Sequence, residues 1–239
     1  MTGYGYEPPV RRRHPVRTTV IVVIVLLVLL VAADFAARAY AENRTASQIQ
    51  QQGFPKKPNV DIEGFPFLTQ VAAREFQDIQ ISSSNVTEGP LDIQSIDATL
   101  KNVHINGAFN GGTIGTLNGT AVITFTALAN AMTSEAGPLG DLANAGLTLS
   151  AAGNDEVKAT LDLVVTSGTA VWRVTRTGPD QINVALVSSG GIPSSLLSPV
   201  SNVTVTLPKL PLGLQIRSIS VTPSGLVGTL TGQNVKFGS

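Results

Sequence analysis

Between Arg17 and Asp34 the chain reads TTVIVVIVLLVLLVAA, a run without a single charge, preceded by RRRHPVR. Val and Ile stand on every face of the helix this run would form, which suits a membrane span far better than a soluble core. As a helix the run covers roughly 24 Å, a little short of the ~30 Å hydrocarbon core of a bilayer. Phe35, Ala36 and Ala37 add a further turn if Asp34 and Arg38 snorkel. Arg11, Arg12, Arg13 and Arg17 hold the N-terminal end in the cytoplasm and send the rest of the chain outside.

Two outcomes fit this pattern. One is a single-pass anchor in the cell membrane with the C-terminal domain outside the cytoplasm. The other is a secreted or periplasmic protein cut near Ala41, where Ala39 and Ala41 form a small-x-small site before Glu42. Asp34 and Arg38 occupy what should be a neutral stretch before such a cut, and DFAARAYAENRTASQIQQQ reads as one continuing helix, so retention is the expectation. The chain then divides into a basic stub (1–17), a transmembrane or signal helix (18–37), a membrane-proximal helix and linker (38–58) and an extracytoplasmic domain (59–239).

From Glu42 onward there are 14 acidic and 11 basic residues. So mildly acidic a body lacks the dense Lys/Arg face that phosphate contacts need, and nucleic acid is not expected as a partner. The chain has no cysteine, which removes disulfides and thiolate chemistry.

Beyond the helix, apolar residues recur with period two. LDIQSIDATLKNVHING places Leu91 and Ile93, then Ile96, Ala98 and Leu100, then Val103 and Ile105 after a slip that suggests a bulge. The same alternation runs through Ala121, Ile123 and Phe125, through Val157, Ala159, Leu161 and Leu163, through Ala170, Trp172 and Val174, and through Ile182, Val184 and Leu186. It continues in Val203 and Val205, and in Ile216, Ile219 and Val221. At least eight half-buried antiparallel strands follow, punctuated by turns at Asn106-Gly107, Asn118-Gly119, Gly153-Asn154-Asp155, Ser167-Gly168, Thr177 to Asp180, Ser224-Gly225 and Thr231 to Asn234. The glycines of GGTIGTLNG, Gly111 to Gly119, read as hairpin turns. Helix is expected at about 32–52, from Phe67 to Phe76, near Thr126 to Thr133 with PLGDLANAG, and as a short turn in IPSSLLSPV.

The fold class is therefore α+β, an antiparallel sheet with a few helices against one face. Its strand side chains are mostly small, so a cavity and an ordinary packed sandwich are both open from the pattern.

Catalytic chemistry is sparse. His104 is the only histidine outside the N-terminal stub, and there is no G-x-S-x-G elbow, P-loop or G-x-G-x-x-G. A zinc site would have to be nearly all carboxylate, which zinc rarely accepts. Asp92 and Asp97 are five apart and face opposite sides of a regular strand, unless a bulge near Gln94 to Ile96 undoes this. Asp155 and Glu156 sit in a turn. No catalytic residue, metal or cofactor is expected. The sequons at Asn43, Asn85, Asn118 and Asn202 are near what chance supplies in a Thr/Asn-rich chain, and imply no glycosylation.

One segment stands apart: VDIEGFPFLTQVAAREFQDIQIS. Gly64 permits a turn, Pro66 starts a helix where its missing N–H costs nothing, and Leu68, Ala72 and Phe76 then share one face. Phe67 and Leu68 can dock that helix on the sheet, line or gate an apolar channel, or dip into a membrane surface.

GFPFLTQ, the anchor running into AYAENRTASQIQQQG, and the closing PKLPLGLQIRSISVTPSGLVGTLTGQNVKF together resemble the LmeA-like phospholipid-binding family of actinobacterial envelope proteins, from about Asp34 to Phe237. The resemblance implies a membrane-associated, extracytoplasmic binder of phospholipid or glycolipid. It also implies a strongly curved antiparallel sheet wrapped on helices, like the tubular BPI-like lipid-binding domains. Phe65, Phe67, Leu68, Val71, Phe76 and Trp172 are the expected lipid-contacting residues. The competing readings are a structural or assembly module of the envelope and a glycolipid enzyme using Asp92, Asp97 or His104.

Overall fold

The computed structural model describes residues 15–51, 54–88, 91–133, 146–162, 167–192, 194–198, 201–206 and 213–238. One helix, α1 (Pro15–Gln51), carries the apolar run and continues well beyond it. From Val20 to Val31 every large side chain is at least 38% exposed, so the protein itself covers none of this length. Past Asp34 the helix becomes one-sided. Ala46 is buried in a cluster with Val60, Ile62 and Phe67, and Ala37, Ala41 and Ile49 pack against it at helical spacing. The C-terminal half of α1 is thus a wall of the domain core.

The remaining elements in chain order are β1 (Asn59–Glu63), α2 (Phe67–Ala73), β2 (Glu75–Glu88), β3 (Leu91–Ile105), β4 (Gly111–Ile123), α3 (Phe125–Thr133) and β5 (Leu147–Gly153). There follow β6 (Glu156–Asp162), β7 (Ser167–Arg176), β8 (Gln181–Gly190), α4 (Ser194–Leu197), β9 (Asn202–Thr206), β10 (Gln215–Thr222) and β11 (Gly225–Gly238). All pairing is antiparallel, in a six-stranded sheet ordered β1-β2-β3-β4-β11-β10 and a five-stranded meander β5-β6-β7-β8-β9. Where one strongly curved sheet is expected from the family resemblance, the strands divide between two open sheets. The reason is topological: everything between β4 and β10 is spent on the meander before the chain returns to the first sheet. The sheets meet through α3, which touches β3 and β5, and through β10, which touches β5 and β7. The turn before β6 joins them as well, since Val221 N–H donates to Asp155 Oδ1 at 3.1 Å.

The long strands of the first sheet give the molecule two ends. β2 leads away from α2, β3 returns, β4 leads away and β11 returns, in unbroken register. The anchor end holds Asp34, α2, the 106–110 loop and the C-terminal end of β11; the far end holds the turn between β10 and β11.

A crease crosses this sheet. Asn102 of β3 (φ 53) and Asn234 of β11 (φ 49) are left-handed, and both lie opposite Gly115 of β4. A left-handed residue inside a strand returns the next side chain to the face just used. Apolar spacing therefore becomes three at one level of four strands: Phe76 and Ile79, Leu100 and Val103, Ile114 and Leu117, Gly232 and Val235. Gly115 is needed there because a Cβ would lie 3.0 Å from that of Asn102. The slip expected at Val103 is thus real, but it is no bulge, since no residue is added. A third left-handed asparagine of this sheet, Asn85 (φ 52), stands opposite Gln94 and has the same effect between Ile93 and Ile96.

Three local expectations change. The helix beginning at Phe67 stops at Ala73, where Arg74 (φ 59) caps it in a left-handed conformation, so Phe76 stands on β2. Asn118-Gly119, the Gly111 to Gly119 run and Thr231 to Asn234 are not turns but lie inside β4 and β11, Ser167-Gly168 is the start of β7, and Phe125 opens α3 instead of extending β4. Gly112 marks close backbone approach, since a Cβ there would overlap the His104 carbonyl oxygen. The expected helix near Thr126 is α3 and the turn in IPSSLLSPV is α4, whereas Leu163 and most of PLGDLANAG lie outside the described residues.

Candidate functional site

Between the two sheets lies a cavity of about 430 Å³ at the far end of the molecule. Ala121 and Ile123 of β4, Leu226 and Gly228 of β11, and Ile219 of β10 form one wall. Val157, Ala159 and Leu161 of β6, Trp172 and Val174 of β7, and Ile182 and Val184 of β8 form the other. Leu128 of α3, Leu147 and Leu149 of β5, and Val203 of β9 complete it. Period two explains the lining, because alternate residues of each strand point inward. Every lining residue is apolar or glycine, and the volume falls within the ~300–1,000 Å³ of small-molecule sites. Such a chamber offers nothing to a charged substrate, and excludes water from whatever hydrocarbon fills it.

The six residues expected to contact lipid fall in two places. Trp172 lines the cavity. The other five belong to the anchor end. Phe67 is 4% exposed and packs in the cluster with Ala46, Val60 and Ile62, its ring centroid 6.1 Å from that of Phe76. Val71 packs against the same cluster, and Phe76 bridges it to the crease cluster of Val103, Ile114, Leu117 and Val235. Phe65 (62%) and Leu68 (41%) are exposed, and Phe65 stacks on Phe35 of α1 at 6.1 Å.

What holds this junction is Asp34, which the sequence presents as a snorkelling charge. Its side chain is buried at 2% exposure. Phe67 N–H donates to Oδ2 at 2.9 Å and Leu68 N–H to Oδ1 at 2.7 Å, so the carboxylate satisfies two free donors at the start of α2. One turn further out, Arg38 donates to Glu42 Oε1 at 2.7 Å, a hydrogen bond that raises the guanidinium pKa. The same Glu42 oxygen accepts Ile62 N–H at 2.9 Å and ties β1 to the helix.

The candidates for catalysis are not brought together. Asp92 and His104 are twelve residues apart on β3, about 40 Å along the strand, with Asp97 between them. Asp92 accepts a hydrogen bond from Thr87 at 2.7 Å, and His104 pairs with Glu75 at 3.3 Å. The slip at Gln94 does return Asp92 and Asp97 to one face, yet both are exposed and about 16 Å apart along the strand. Asp155 is bonded to Val221, and Glu156 accepts Arg173 at 2.6 Å. Among the described residues no group of three or more His, Asp or Glu side chains forms a metal site.

A family model described as LmeA-like phospholipid-binding matches residues 32–231. The chain belongs to the LmeA-like phospholipid-binding family. No curated protein and no solved structure matches it. The LmeA-like match begins at the C-terminal end of the apolar run and takes in Asp34, the packed half of α1 and both sheets up to Thr231 of β11, so Asp34, α2 and the cavity fall inside one family unit.

Proposed function

We propose that this protein is a single-pass membrane protein whose body, outside the cytoplasm, holds the acyl part of a phospholipid or glycolipid in the inter-sheet cavity during cell-envelope biogenesis. The observation that carries the reading is a chamber lined wholly by apolar side chains in a member of a phospholipid-binding family. Burying ten methylenes at ~0.8 kcal/mol each supplies about 8 kcal/mol, the scale of micromolar affinity, with no charged contact required. The headgroup stays at the mouth, where water solvates it. In this reading the two sheets together serve as the wall of a tube, as in BPI-like domains, and the protein carries lipid without transforming it. A retained anchor is supported by α1, which is long and apolar enough to span a bilayer and whose Ala37 and Ala41 belong to the core.

Gly228 supplies the test. Gly228 lines the cavity and a Cβ at this position meets nothing within 4 Å, so Gly228→Phe is the substitution that directs bulk into the cavity from an unobstructed start. Lipid co-purifying with the full chain is measured by mass spectrometry. Uptake of acyl-brominated phospholipid is read by quenching of Trp172, the only tryptophan. The wild type carries lipid and is quenched, whereas Gly228→Phe loses both while keeping its unfolding midpoint. A wild type with no lipid and no quenching, or a variant with undiminished uptake, overturns the proposal.

A further inference from the structure

Beyond the apolar run, six large hydrophobic side chains stand exposed among the described residues: Phe35, Tyr40, Phe65, Leu68, Phe109 and Val187. All but Val187 lie at the anchor end. Phe35 follows Asp34 directly on α1, and Phe65 is stacked on it. Leu68 opens α2, whose first N–H groups are held by Asp34. Phe109 sits in the loop between β3 and β4, which is bound to the end of α2 because Ile105 N–H donates to the Arg74 carbonyl at 2.9 Å. The Arg74 guanidinium lies 5.8 Å from the Phe109 ring centroid. Three separate segments thus bring exposed apolar groups to the level where α1 leaves its apolar run, with a cation beside them. Phe and Leu with basic residues nearby are among the side chains by which surfaces enter the headgroup and acyl boundary of a bilayer.

We infer that this end of the domain is a seat on the bilayer crossed by α1: Phe35, Phe65, Leu68 and Phe109 enter the interfacial layer and fix the domain upright on its membrane. The inference rests on α1 spanning the membrane as proposed above. The occupant is the outer surface of that bilayer, because the patch begins with Phe35 and the Phe65 stacked on it, directly beyond the exposed apolar run of α1. Asp34 makes the arrangement rigid, since the carboxylate at the foot of the span holds the backbone of the segment that carries Phe65 and Leu68.

The absence of cysteine makes the test direct. Phe65→Cys, Phe109→Cys and, at the far end, Ser224→Cys are made singly in the full chain, labelled with an environment-sensitive fluorophore and reconstituted in nanodiscs of phosphatidylglycerol and phosphatidylethanolamine. Labels at 65 and 109 are expected to shift to the blue, resist aqueous iodide and be quenched severalfold by headgroup-proximal doxyl lipids, while the label at 224 behaves as in water. Amide exchange of residues 106–110 in the unlabelled protein, slower in nanodiscs than in detergent micelles, provides the second measure. Water-like behaviour at 109 together with unchanged exchange overturns the seat. The result is separable from the cavity reading, because lipid uptake by Gly228→Phe is scored independently.

Discussion

A single carboxylate decides how the body meets its anchor. Asp34 is buried, and its two oxygens are spent on adjacent N–H groups of Phe67 and Leu68. Asp34→Ala leaves both donors without a partner in a dry place, and is expected to cost about 2 kcal/mol. Denaturant unfolding of the detergent-solubilised protein measures it, and an unchanged midpoint would show that water replaces the carboxylate. The two phenylalanines of the GFPF turn should part company in the same assay. Phe67→Ala opens a hole in the cluster around Ala46, Val60 and Ile62, and should lose about 3 kcal/mol or more. Phe65→Ala, at an exposed site, should stay within about 0.5 kcal/mol. The sequence displays a turn with two aromatics; which ring is buried is not legible there, because that depends on Asp34 arriving from thirty-three residues away.

At the level of elements, the crease shows why some strands are legible in the sequence and others are not. Regular alternation in β6, β7 and β8 is enough by itself to mark their cavity-facing residues. In β2 the crease brings Phe76 and Ile79 three apart on one face, and that spacing imitates a helix, so the strand reads as a continuation of α2. Gly111, Gly112, Gly115 and Gly119 read as turns because a glycine in a turn and one under a neighbouring strand look alike locally. The cavity wall is legible as small alternating residues, but nothing in the alternation tells which strands face one another across a gap. Asn102 tests the crease itself. Asn102→Gly keeps the left-handed φ and should be near neutral, whereas Asn102→Val should lose about 1–2 kcal/mol, the cost of forcing a β-branched residue there. Equal unfolding midpoints for the two variants would remove the left-handed residue as the cause of the slip.

For the molecule as a whole, α1 joins an apolar run long enough to cross a bilayer to a half that packs against the core. A chain beginning at Glu42, as cleavage after Ala41 would leave it, lacks Asp34, Ala37, Arg38 and Ala41, and so loses the cap on α2, the partner of Glu42 and part of the cluster around Ala46. Such a truncation is expected to unfold about 6–12 °C below a chain beginning at Ala32, in thermal scans of both proteins in the same detergent, since ~2–4 °C per kcal/mol applies to a domain of roughly 200 residues and about 3 kcal/mol are removed. Equal melting temperatures would make the C-terminal half of α1 dispensable.

The distance between the two ends has a consequence of its own. From Thr113, level with His104 beside α2, to Ala121 and Ile123 in the cavity wall, β4 advances eight to ten residues, about 27 to 33 Å along the strand. On a body standing upright, that is several times the depth of a headgroup layer. A lipid tail in the cavity has then left its leaflet altogether, and a bare climb would expose it at ~0.8 kcal/mol per methylene. With the domain seated as inferred, the body would act as a mooring post of fixed height, and a lipid tail would reach the berth only after leaving the membrane on which the post stands.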